Sequence, residues 1–128
     1  MLFRSSILIH ADLRRYGDFI SEMIKAHPVT NFNIPHFGFS RREISSLIEE
    51  YDNCYTDLSS LMAFMKREPE DYLEFIRRYQ DRILFGSDAL IGQPEAVQSS
   101  MEFLSDFLND KDLLARVFGK NYLEFHKR

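Results

Sequence analysis

The chain has 128 residues, enough for a single domain spanning 1–128 with a real core and too few for two. Apolar residues make up 45% and charged residues 28%, and the net charge of −4 comes with no cluster of Lys and Arg. That balance describes a soluble globular chain and leaves no electrostatic footprint for nucleic acid. No apolar run approaches a membrane span, so no membrane partner is expected. The start, MLFRSSILIHAD, lacks a signal-peptide layout, and its apolar piece Ile7–Ile9 is far too short for one. A lone cysteine, Cys54, has no internal disulfide partner, which fits a reducing, cytoplasmic location.

Along the chain, four short strand-like runs alternate with four helix-like stretches. The first strand is predicted over Ser6–Ala11. Tyr16, Phe19, Ile20, Met23 and Ile24 then fall on one helical face, which His27-Pro28 closes. The second strand is predicted over Asn31–Phe37. Ser40 to Glu43 reads S-R-R-E, a capping box, with Phe39 and Ile44 placed for a hydrophobic staple and the helix running to Tyr51. A third strand, Cys54–Ser59, precedes a helix opened by Pro69 that buries Tyr72, Leu73, Ile76 and Tyr79. The fourth, RILFGS, precedes a helix carrying Val97, Met101, Leu104, Phe107 and Leu108. Two shorter helical pieces end the chain, capped at Asn109 or Asp110 and hinged at Gly119.

Strands alternating with helices of this length predict the α/β class with parallel pairing. The strands are apolar enough to be covered on both faces. An open doubly wound sheet and part of a barrel both satisfy the pattern. No G-x-G-x-x-G follows any strand, which weakens the nucleotide-binding form of the open sheet.

The polar residues sit where such folds assemble active sites. His10, His36, Asp57 and Asp88 each lie at or near the C-terminal end of one of the four strands. Taken singly, each has a plain structural reading, as a hydrogen-bonded histidine or a loop-capping aspartate. Four on the same edge is another matter. Two imidazoles and a carboxylate are donors that zinc and similar ions prefer, with Asp57 available as a supporting partner. His27 and His126 read as a helix-end residue and a solvated tail residue, and Cys54 as a small buried side chain.

ILIHAD, FISEMIKAHPVTNFNIPHFG, CYTDLSS, RILFGSDAL and VFGKNYLEF, in that order, resemble the second half of the amidohydrolase-2 family of metal-dependent hydrolases and decarboxylases. The resemblance implies four β/α units of a TIM-barrel-like (β/α)8 fold, equivalent to strands five to eight. It implies a divalent metal, zinc by expectation, held by His10, His36 and Asp88. His36 and Asp88 would also be catalytic, Asp88 as proton acceptor and His36 acting on substrate, which would be a small molecule with a carbonyl, amide, ester or carboxylate group. Gly119 and Asn121 match the family's terminal helix. The family's first-strand His-x-His pair has no counterpart here, and Gly92-Gln93-Pro94 replaces the plainer turn that follows the last strand's aspartate. A typical barrel takes about 250 residues, so this length corresponds to a half barrel. Unpaired strand edges would then drive homodimerisation, or pairing with a partner chain that supplies the remaining strands. The sheet could also flatten into a small open one. A non-catalytic half-barrel paralogue and a TatD-type metal-dependent nuclease are the competing functional expectations, the nuclease being disfavoured by the acidic balance.

Overall fold

A computed structural model describes residues 6–127; the first five residues of the stretch read for a signal peptide lie outside the described residues. Four parallel strands form one sheet in the order β1-β2-β3-β4: β1 (Ile7–Leu8), β2 (Phe32–Ile34), β3 (Cys54–Asp57) and β4 (Ile83–Leu84). Sequence neighbours are sheet neighbours, with Ile7 opposite Phe32, Phe32 opposite Cys54, and Thr56 opposite Ile83. Helices α1 (Leu13–Ala26), α2 (Arg41–Glu50), α3 (Met62–Arg67) and α4 (Pro69–Arg78) fill the crossovers, and α5 (Glu95–Leu108) follows β4. The chain ends in α6 (Lys111–Ala115), a π-helical turn (Arg116–Lys120) and α7 (Asn121–Phe125). This is the α/β class with parallel pairing that the alternating pattern predicts, in the half-barrel form that the family resemblance implies.

Strand periodicity divides the sheet into two unlike faces. On one, Phe32, Ile34, Cys54 and Ile83 are fully buried with Ile20 and Ile24 of α1, Ile44 of α2, Met65 of α3, Ile76 of α4 and Leu104 of α5. Each such side chain contributes about 1.5–3 kcal/mol by leaving water. The opposite face carries Asn33, Tyr55, Asp57 and Leu84, and its apolar part is a small cluster of Tyr55, Leu84 and Phe125. Both faces were expected to lie under helices; among the described residues, the apolar cluster on the second takes just Phe125 from a helix, and Leu8 stays 62% exposed.

Local signals explain the helix ends. The Asp12 carboxylate accepts the Arg14 amide at 3.0 Å and starts α1, while His27 closes it. Pro69 occupies the first turn of α4. Asn109 terminates α5 in the left-handed region, and Asp110 accepts the amides of Asp112 and Leu113, both at 3.0 Å, to start α6. The capping box forms by half: the Ser40 hydroxyl accepts the Glu43 amide at 3.3 Å, but the Ser40 amide donates to the Phe37 carbonyl.

Several expectations need correction. The α1 seam is Leu13, Ile20 and Ile24, whereas Tyr16 and Phe19 are exposed. Ile44 is buried but Phe39 is half exposed, its ring against two histidines rather than sunk in a staple. Gly119 lies inside the π turn and is no hinge, because helical backbone runs on from Lys111 to Phe125. The β4 edge is not open: the Phe85 amide donates to the Val117 carbonyl at 3.0 Å, and the Asn121 amide group donates to the Ile83 carbonyl at 2.8 Å. At the other end of α7, Asn31 and Ser6 side chains donate to the Phe125 carbonyl at 2.7 and 3.0 Å. The terminal helix thus spans the floor of the sheet. On β1, the edge away from β2 has no strand partner among the described residues.

Burial pushes the Cys54 thiol from 9.0 up to about 12, the nearby Arg82 charge offsetting only part of it. The thiolate is the reactive form, so folded protein at pH 8 should resist an aromatic disulfide reagent and react fully once denatured. Rapid labelling without denaturant would show that the outer core is not closed over Cys54.

Candidate active site

The strands are shorter than their apolar runs, and the reason lies in the residues that follow them. Pro35 has no amide to continue the β2 ladder. Beyond it His36, Phe37, Gly38 and Phe39 have φ of 44°, 59°, 56° and 63°, a single left-handed helical turn. Left-handed backbone costs about 1–2 kcal/mol per residue with a Cβ, so other contacts must hold this turn.

Those contacts come from β3. The His36 amide donates to Asp57 Oδ1 at 3.2 Å, and the Phe37 amide donates to Thr56 Oγ1 at 3.1 Å. Thr56 in turn donates to the Ile34 carbonyl at 2.6 Å. The Phe37 ring lies in the core, 4.4 Å from the Phe75 ring centroid. Gly38 eases the same left-handed φ that its neighbours bear at a cost, and a Cβ there would stand 2.4 Å from the Leu13 side chain. The turn swings His36 to the C-terminal edge of the sheet and leaves it 9% exposed.

Asp57, the last residue of β3, is 5% exposed and accepts from four donors. Besides the His36 amide, these are the Asn33 side chain at 2.9 Å and the Ser59 amide at 3.0 Å, with the Ser59 hydroxyl at 2.5 Å. Ser59 Oγ is also 2.8 Å from His36 Nδ1. The chain after β4 passes close beneath: a Cβ on Gly86 would meet Asp57 Cγ and Ser59 Cβ at 3.1 Å. Asp88, four residues past the end of β4 and not on a strand, is exposed with φ 53°, and its Oδ2 accepts the Ser60 hydroxyl at 2.6 Å. His10, two residues past β1, is exposed; its ring centroid is 5.0 Å from that of His36 and 5.5 Å from that of Phe39.

His10, His36 and Asp88 thus border one cleft of about 640 Å³, walled by Phe39, Leu61 and Phe64. Arg14 and Arg41 also line it, each already paired, with Asp12 at 2.8 Å and Glu68 at 3.2 Å. The Arg14 hydrogen bond holds the Asp12 carboxyl below its ordinary value. A second cavity of about 580 Å³ opens on the inner face, where His10, His36 and Asp88 meet Asn33, Asp57 and Ser59. Buried Asn33 Oδ1 has no partner there among the described residues.

A family model described as amidohydrolase matches residues 18–125. The chain belongs to the amidohydrolase family. His36 and Asp88 fall inside the matched stretch and His10 outside it. Comparison with curated proteins and with solved structures finds no match.

In this family member the donor set suits a zinc-like ion in kind, with two imidazoles and a carboxylate. In number it falls short: among the described residues, no three His, Cys, Asp or Glu side chains stand close enough together to hold a metal. These βα units bring the sequence-predicted residues to one edge without closing a coordination sphere. Thr56, Ser59 and Ser60 escaped sequence reasoning, although the CYTDLSS stretch marks where they act.

Replacing Thr56 with Val should leave the buried Phe37 amide without an acceptor and cost about 1–3 kcal/mol in denaturant unfolding. Gly86→Ala should cost a similar amount by overpacking against Asp57 and Ser59. Wild-type midpoints in both variants would mean that the turn does not depend on these contacts.

Proposed function

We propose that this amidohydrolase-family chain provides part of the catalytic edge of a metal-dependent hydrolase acting on a small carbonyl, amide, ester or carboxylate substrate. One observation carries the reading: His10, His36 and Asp88, arriving from three parallel βα units, border a single cleft with the two imidazoles in contact. His10, His36 and Asp88 would hold a divalent ion such as zinc, with further donors completing the sphere. Such an ion, when bound, polarises a carbonyl and lowers the pKa of its water to about 7.

The chain's own groups have separate tasks. Ser60 ties Asp88 Oδ2, so Oδ1 is left to accept a proton from the attacking group. Phe39, Leu61 and Phe64 supply apolar contact for a small substrate. Further strands would join at the unpaired β1 edge, from a second copy or from a chain bearing the rest of a barrel. The lone cysteine, buried and unpaired, suits a cytoplasmic setting. No helix among the described residues is long and apolar enough to cross a membrane. A second reading, a non-catalytic half-barrel, draws on the absence of a three-donor cluster among the described residues.

Metal analysis of the purified protein should find zinc or a similar ion, and His10→Ala or Asp88→Asn should deplete it. Hydrolysis of a panel of small esters and amides should fall about 10²–10⁴-fold in Asp88→Asn. A folded parent with neither metal nor turnover would favour the non-catalytic reading. Light scattering should give a mass above the 15.2 kDa of one chain; a well-folded monomer at micromolar concentration would remove the edge-pairing part.

A further inference from the structure

The groups behind His36 fix which of its ring nitrogens carries the proton. Ser59 Oγ stands 2.5 Å from Asp57 Oδ1 and 2.8 Å from His36 Nδ1. A serine hydroxyl has one proton to give, and an ionised carboxylate has none. The Ser59 proton therefore goes to Asp57, and Ser59 accepts from His36, which puts a proton on Nδ1. In the neutral ring the lone pair is left on Nε2.

Asp57 is in no position to turn away. Oδ1 also accepts the His36 and Ser59 amides at 3.2 and 3.0 Å, while Oδ2 accepts from Asn33 at 2.9 Å. Asp57 and Ser59 are each 5% exposed, so bulk water has little access to replace these bonds. The direction of the Ser59 proton is set by a carboxylate that is itself held by three other donors.

We propose that Asp57 and Ser59 are positioning residues that hold His36 as its Nδ1–H tautomer, presenting Nε2 as an acceptor, either a ligand or a base. The family resemblance leaves two roles open for His36, polarising substrate through a donated hydrogen bond or ligating through a lone pair. The Asp57–Ser59 pair selects the second for the neutral ring, since Nε2 then has no proton to donate to a developing oxyanion. The value of this to catalysis rests on the hydrolase reading; the tautomer itself does not.

Long-range ¹H–¹⁵N NMR of the metal-free full chain at mildly alkaline pH reads the tautomer directly, with His36→Gln assigning the resonance. The parent should show a protonated Nδ1 and an unprotonated Nε2. Ser59→Ala should shift the ratio several-fold toward Nε2–H, the form that predominates for histidine in water, and Ser59→Thr should restore it. A parent spectrum showing Nε2–H would overturn the proposal, as would an unchanged tautomer in Ser59→Ala. Should Ser59→Ala fail to fold, the parent spectrum alone decides. Neither metal nor turnover is needed, so an inactive chain can still show the tautomer, and an active hydrolase can still lack it.

Discussion

The Asp57 carboxylate is the constraint on which the C-terminal edge of the sheet depends. A buried anion is costly unless its oxygens are satisfied, and here four donors converge on it. Two of them are main-chain amides, one from the left-handed turn after β2 and one from the loop after β3. A single side chain thus joins three consecutive βα units, since the loop after β4 also runs close to it, where a Cβ on Gly86 would stand 3.1 Å from Asp57 Cγ. The strain of the turn is tolerable because releasing it would strand the carboxylate as well as the amides.

The two faces of the sheet divide the work. Apolar burial against the helices supplies the cohesion, and it comes from one row of side chains: Phe32, Ile34, Cys54 and Ile83. The other row, with Asn33 and Asp57, gives up apolar burial for a polar network at the strand ends. The terminal helix seals the floor and the β4 edge through Asn121, Val117 and Phe125, so the unpaired strand edge lies on β1, beside His10.

Much of this was legible in the residue order. The strand–helix rhythm marks all four βα units, and Pro69 and Asp110 mark helix starts because their effects are local. His10, His36 and Asp88, singled out by their position after apolar runs, border one cleft. Short helix α3 was not, since Met62–Arg67 is a single turn or so without a capping side chain. Tyr16 and Phe19 fit the helical period yet face outward: the period identifies a stripe, but contact with α2 and the sheet decides its centre. Strand ends were overrun because apolarity continues past the last ladder bond.

By itself the sequence determined the class, the order of the units and the side chains brought to the C-terminal edge, since each follows from periodicity or short-range chemistry. Only the tertiary structure decided how those side chains are held. The left-handed turn at His36 is stable because Thr56 and Asp57 lie opposite it across the sheet, about twenty residues away in the chain. The Ser59 proton acquires a direction only when Asp57 and His36 stand on either side of it. Such effects depend on distances between units, which no single unit encodes.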